Sequence, residues 1–296
     1  DAITNRVGEL GYAFVDVRPR VKRDRKSKTI SIAFEVKEGP RVFVERIDIA
    51  GNVRTLDKVI RREFQLVEGD AFNSAKIRRS RQRLRNLNFF ETVKVEQIPG
   101  SAPDKTVVKV EVQEKSTGTV SIGAGYSSAI GAIGEFGLAE KNFLGRGQKL
   151  SLKFTMAAKR SQVDFAFSEP YFMNREVNAG FNVFHVRQNL EDTSSINTSR
   201  TGIRFNAGYY LTDDVRQNWS YDIRKSKIDD VSSNAAALIK AELGTEYGSE
   251  VGHKIGIDTR DSAITPTSGY SASFATDVAG LGGTLRHMRN TVQGGY

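Results

Sequence analysis

The sequence predicts two kinds of fold in series: α+β units of order β-α-α-β-β, then the N-terminal portion of an antiparallel transmembrane β-barrel of about ten strands. Three observations predict it. Helical spacing is confined to the first 115 residues, a strand pair there recurs, and strict apolar/polar alternation with frequent glycine begins after Lys115. These divide the chain into a partial unit at 1–39, a complete unit at 40–115 and a barrel section at 116–296.

In the complete unit, Arg41 to Ile49 is rich in β-branched and aromatic residues, and the turn dipeptide Gly51-Asn52 closes it. Two helices are expected, Leu56 to Phe64 and Ser74 to Leu87. The second has Asn73 as N-cap and Ile77, Ser80, Leu84 and Leu87 on one face. Strands follow at Thr92 to Ile98 and Thr106 to Glu114. The same closing pair occurs earlier, at Gly11 to Arg20 and Thr29 to Glu38, with Ala33-Phe-Glu-Val-Lys-Glu38 lying over Lys109-Val-Glu-Val-Gln-Glu114. That first copy lacks an opening strand and first helix, so the chain is expected to start inside a domain.

After Lys115 the period becomes two. In Thr201 to Leu211 the residues Ile203, Phe205, Ala207, Tyr209 and Leu211 share one face, and Gly202, Arg204, Asn206 and Gly208 the other. Ten such strands begin near Thr119, Gly131, Gln148, Gln162, Arg175, Ser199, Arg216, Gly248, Gly269 and Thr284. Long polar connectors are expected at Gln188 to Thr198 and Ser226 to Tyr247. A soluble sandwich would bury the apolar faces and a membrane barrel would turn them outward. The glycine and asparagine on the opposite faces suit a barrel lumen, and strands of about 9–11 residues suit a tilted crossing of the bilayer. The lipid bilayer is therefore an expected partner, with Phe143 and Leu144 at its interface.

Composition narrows the function. The chain has no cysteine, which excludes disulfides and thiolate chemistry. Its net charge of +9 sits almost wholly in residues 1–115, where 25 Lys and Arg face 17 Asp and Glu. That half is expected to meet acidic surfaces. The basic run Lys76 to Arg85 reads as a solvated helix face, without the aromatic platform or helix-turn-helix spacing of a nucleic-acid binder. His185, His253 and His287 have no ligand spacing, and the glycines near Gly118 open no helix, so no metal, cofactor or catalytic set is expected. Asp258 and Asp261 flank Arg260, a pattern for a carboxylate–guanidinium lock.

The combination resembles the POTRA-plus-barrel family of outer-membrane assembly proteins. The residues that carry the resemblance are Phe43-Val-Glu-Arg-Ile-Asp-Ile-Ala-Gly-Asn52, Asn142-Phe-Leu-Gly-Arg-Gly147, Ser168-Glu-Pro-Tyr-Phe172, and Asp258-Thr-Arg-Asp261 with Pro266-Thr-Ser-Gly269. It implies that residues 1–115 hold one partial and one complete POTRA domain in the periplasm, and that the chain is part of a longer polypeptide of the bacterial outer membrane. It implies assembly and insertion of β-barrel proteins, with unfolded outer-membrane proteins as clients and accessory lipoproteins as partners. A two-partner secretion pore or TamA-like translocation factor is the alternative within the architecture, and a soluble basic binding protein the alternative outside it. The expected client-pairing gate strand is Thr119, Val120, Ser121, Ile122, Gly123, Ala124, Gly125 and Tyr126. Thr92, Val93, Lys94, Val95 and Glu96 form a second pairing edge. Asn142, Phe143, Gly145 and Gly147, with Glu169, Pro170 and Tyr171, are expected to shape structural turns.

Overall fold

The computed structural model describes residues 16–24, 29–37, 41–189, 196–229, 237–241, 243–260 and 267–295. It divides into two compact units, residues 1–117 with 144–146, and 118–143 with 147–296.

In the first unit, β1 (Asp16–Asp24) and β2 (Thr29–Lys37) form an antiparallel pair. The expected start of β1, from Gly11, lies outside the described residues. Next come β3 (Phe43–Ala50), α1 (Asp57–Arg61), α2 (Ser74–Leu87), β4 (Phe90–Pro99) and β5 (Lys105–Glu114), the expected β-α-α-β-β order. The sheet order is β3-β5-β4, with β3 parallel to β5 and β4 antiparallel to it. α2 begins where Asn73 accepts the Lys76 amide at 3.0 Å, and buries Ile77, Ser80 and Leu84 with Leu87 packed beside them. Its arginines are left to the flanks. α1 stops short of the expected Phe64 because Glu63 and Phe64 donate to carbonyls three residues back, Ile60 and Arg61, which tightens the chain into turns.

The second unit is a single antiparallel sheet of ten strands, paired in sequence order. They are β6 (Gly118–Ser127), β7 (Gly131–Phe143), β8 (Gln148–Ala157), β9 (Arg160–Glu169), β10 (Val177–Asn189), β11 (Asn197–Tyr210), β12 (Val215–Asp229), β13 (Gly244–Asp258), β14 (Ser271–Gly283) and β15 (His287–Gly295). Several outrun the expected length: β12 and β13 have 15 residues each. The polar connectors shorten accordingly, and α3 (Ala237–Ala241) sits in one of them.

The two units bury opposite kinds of residue. Every member of the buried apolar cluster lies between Val42 and Val112. In the ten-stranded sheet, Phe154 and Phe205 are 40% and 44% exposed. The register carries one apolar row across seven strands: Val120, Leu138, Leu152, Phe165, Val183, Ile203 and Ile223. The parallel row Leu150, Phe167, Phe181, Phe205, Tyr221 and Val251 lies on the same face, with the Phe167 and Phe181 rings 5.9 Å apart. The opposite face buries Asp222 and Glu250. Exposed apolar rows and buried charges are the arrangement of a sheet bathed in lipid on one side and enclosing a polar interior on the other.

Candidate functional site

Two strand edges stand out. Among the described residues β6 pairs with β7, from Gly118↔Glu140 to Ser127↔Gly131, and β15 stands at the other end of the same sheet. Residues 118–126 are all exposed, and Ile122 is 83% accessible. Val120, Ile122, Ala124 and Tyr126 alternate with Thr119, Ser121, Gly123 and Gly125, so the small residues share the inner face. Those glycines are not crowded by β7. A Cβ on Gly125 would meet nothing within 4 Å, and one on Gly123 would make an ordinary 3.7 Å contact with Glu135. What they do remove is side-chain grip on the neighbouring strand, which weakens register.

In the POTRA-like sheet both β3 and β4 are edges, but only one is occupied. The Ile47 amide donates to Glu68 Oε1 at 3.2 Å, and its carbonyl accepts Arg61 Nη2 at 2.9 Å. Val44 exchanges backbone bonds with Asp70 and Gly69. Glu68 is held below the usual carboxylate range, first by the Ile47 amide and then by Arg61. The outer side of β4 has no such cover among the described residues. There Val93 is buried and Val95 half-buried against the core, while Thr92, Lys94 and Glu96 are exposed.

The turn residues are bonded as structural elements. Asn142 is buried, and its Oδ1 accepts the Gly147 amide at 2.7 Å, while its own amide donates to Glu140. Leu144, Gly145 and Gly147 have φ of 53°, 69° and 72°. Phe143 ends β7, pairing with Gln148. In the second turn the Glu169 carboxylate reaches past Pro170, which has no N–H to offer, to accept the Tyr171 amide at 2.9 Å, and it also accepts Gln148 Nε2 of β8 at 2.8 Å. Arg260 grips Asp258 with two bonds of 2.8 and 2.7 Å. Asp261 and Pro266 lie outside the described residues.

Comparison with known families agrees with this geometry. A profile described as the Omp85 superfamily domain matches residues 142–296, more than half of the chain. The chain belongs to the Omp85 superfamily. A POTRA profile, described as a surface antigen variable number repeat, matches twice, at 1–39 and 42–115, so the recurrence in the Omp85 chain's first half is a repeat of that domain. The outer membrane protein assembly factor BamA of Neorickettsia risticii is 30% identical over 291 residues, covering 98% of this chain and 39% of that protein. BamA of Nitratidesulfovibrio vulgaris is 30% identical over 267 residues, covering 88% of this chain and 33% of its own length. The Omp85 chain thus spans about two fifths or less of these relatives. A crystal structure of BamA from Haemophilus ducreyi lacking POTRA domains 1-3 superposes with a TM-score of 0.78 at 22% identity, over 95% of this chain and 56% of that one. That likeness establishes the fold: POTRA repeats followed by part of a transmembrane barrel.

The Omp85 sheet also holds an ionic network that sequence reading missed. Arg204 of β11 pairs with Asp222 of β12 at 3.1 Å, Asp222 with Arg224 at 2.8 Å, and Arg224 with Glu250 of β13 at 3.1 Å. His287 and Arg289 of β15 approach Glu250 at 3.3 and 3.7 Å, and Arg289 also binds Asp277 of β14 at 2.8 Å. All these residues project inward. Inward parity was readable from each strand, but which charges meet depends on register. His185 bonds Thr201, and His253 stacks on Trp219 with ring centroids 4.3 Å apart, so the three histidines occupy three strands and three settings.

Proposed function

We propose that this chain is the membrane-proximal part of an outer-membrane assembly factor, which folds and inserts β-barrel proteins by offering them a strand edge, without catalysis, nucleotide or cofactor. The observation that carries the reading is the inner face of β6, where Thr119, Ser121, Gly123 and Gly125 leave the strand little side-chain grip on β7. An incoming chain has to satisfy its backbone N–H and C=O groups before it enters lipid, and an unpaired edge supplies the partners. Residues Thr119 to Tyr126 form this template in the barrel. Thr92 to Glu96 on β4 form a second, because the other POTRA edge is already bonded to Glu68, Arg61 and Asp70. The clients are unfolded outer-membrane proteins, accessory lipoproteins join the POTRA domains on the periplasmic side, and the barrel section sits in the bacterial outer membrane. The similarity to outer membrane protein assembly factors supports the same reading.

The test is Ile122→Pro in the full-length protein against Asp213→Pro in the exposed turn after β11. Proline deletes one N–H and bends the edge. Client insertion into vesicles should fall with the first and persist with the second, both barrels being assembled. Equal insertion by the two would dismiss the template.

A further inference from the structure

The outward face of β9 to β13 changes chemistry within one step of the register. Phe165, Val183, Ile203 and Ile223 form an apolar row. The next row is Val163, His185, Thr201, Lys225 and Tyr247, and the one beyond it is Ser161, Arg187, Ser199, Lys227 and Thr245. Each of these five strands is paired on both sides. On a lipid-facing surface charged side chains begin where hydrocarbon gives way to headgroups, and interfacial aromatics such as Tyr247 stand at the same level. The step therefore marks the rim of the bilayer. Chain order says which rim. The POTRA domain runs into β6 at Gly118, and antiparallel succession puts Asn189, Asn197 and Asp229 at the far ends of their strands. With the POTRA domains in the periplasm, those ends meet the outer leaflet.

The rim is shaped as a groove. Ser199 and Thr201 of β11 are short, while β10 raises His185 and Arg187 on one side and β12 raises Lys225 and Lys227 on the other, all four exposed. Strands two apart are separated by about 10 Å, so one headgroup reaches both walls with the hydroxyls beneath it. His185 Nδ1 and Thr201 Oγ1 share a hydrogen bond of 2.7 Å, Lys225 Nζ lies 5.8 Å from the Tyr247 ring centroid, and Lys227 pairs with Asp229 at 2.7 Å. Among the described residues Asp229 is the one carboxylate on the outward side of these strand ends, and Arg187 has no partner. Positive charge is left over. Acyl chains cannot answer it, whereas phosphate oxygens accept from guanidinium, ammonium and hydroxyl donors alike.

We infer that the groove over Ser199 and Thr201, walled by Arg187 and Lys227, binds the phosphate-bearing headgroup of an outer-leaflet lipid. This rests on the membrane placement and orientation of the sheet, and not on the insertion role.

The test mixes the full-length protein, in mild detergent, with diphosphorylated lipid A and counts bound lipid by native mass spectrometry. The wild type should retain it. Arg187→Gln with Lys225→Gln and Lys227→Gln should weaken retention on the order of 100-fold, since each cation near an anionic surface contributes separately. The single variants Arg187→Gln and Lys227→Gln should each lose about five-fold, which keeps the test open if the triple variant assembles poorly. Lys149→Gln with Lys153→Gln and Lys254→Gln removes the same charge from the inward face and should change nothing. Retention by the triple and single variants equal to that of the wild type would overturn the inference. So would equal retention of lipid A stripped of its phosphates, which would reduce the contact to acyl chains. Phosphatidylglycerol held as tightly would mean a general attraction for anionic lipid, and displacement by millimolar inorganic phosphate would mean a site for a free ion; either result overturns the assignment.

Discussion

The Gly147 amide donates to Asn142 Oδ1 at 2.7 Å, closing a turn in which both residues are buried. Asn142→Ala would leave that donor without a partner, and a buried unsatisfied N–H costs about 1–3 kcal/mol. The urea midpoint of the vesicle-folded protein, read by heat-modifiable gel migration, should fall accordingly. An unchanged midpoint would mean that water replaces the side chain.

Orientation of the sheet gives a second prediction. Phe154 is outward and its neighbour Thr155 inward. Arginine on the lipid face near the midplane costs roughly 2–4 kcal/mol, whereas lumen positions tolerate charge. Phe154→Arg should therefore lower folding into bilayers, and Thr155→Arg, beside Glu135, should not. The reverse order would turn the sheet inside out.

The ionic network is expected to respond to loss of one member. Asp222 is 3% exposed and bonds Arg204 and Arg224. Removing one partner of a buried pair costs about 3–5 kcal/mol, and the lower end applies because Arg224 keeps Glu250. Asp222→Ala should lower the unfolding midpoint, and adding Arg224→Met should lower it further, because buried Glu250 then loses its partner on β12. A double variant as stable as the single would show that Arg224 contributes nothing to holding Glu250.

Acid should loosen the loop after β3. The Glu114 carboxylate accepts the Arg54 and Thr55 amides at 2.9 and 2.7 Å. Burial raises its pKa, but the bonds from Thr55, Arg54 and Val53 outweigh that, so it lies below the usual carboxylate value. A depressed carboxylate pKa contributes stability above the unfolded-state pKa of about 4.3, and that stability is lost as pH falls through the lower folded value. Hydrogen exchange at Arg54 and Thr55 should lose protection below about pH 4. Glu114→Gln should show weak protection at every pH, and a wild-type profile in that variant would exclude the carboxylate as the clamp.

In α2 the buried side chain Leu84 offers a cavity test of the POTRA core. Leu84→Ala should cost about 2–5 kcal/mol, and Asn73→Ala, which removes the cap, about 1 kcal/mol. Circular dichroism of the helical signal during denaturation separates the two.

Much of this protein was legible from local pattern. The ten barrel strands begin within four residues of where alternation places them, because period two is a property of each strand by itself. α2, its cap and its buried face were equally readable, since one helix turn fixes them. α1 was overextended: the apolar residues Val59, Ile60 and Phe64 look helical in spacing, and only packing decided that the chain turns after Arg61. The turns at Asn142 and Glu169 were legible as turns, but not the bonds that hold them.

The sequence by itself determined the order of the strands and of the two POTRA helices, where the repeat lies, and that each barrel strand has one apolar side, because these follow from the spacing of neighbours along the chain. Tertiary structure alone decided that β3 is covered by Glu68, Arg61 and Asp70, while β4 has no such cover among the described residues, and that Arg204, Asp222, Arg224 and Glu250 meet. Those outcomes depend on pairing between residues far apart in sequence, and strand register, which no single segment encodes, brings them together.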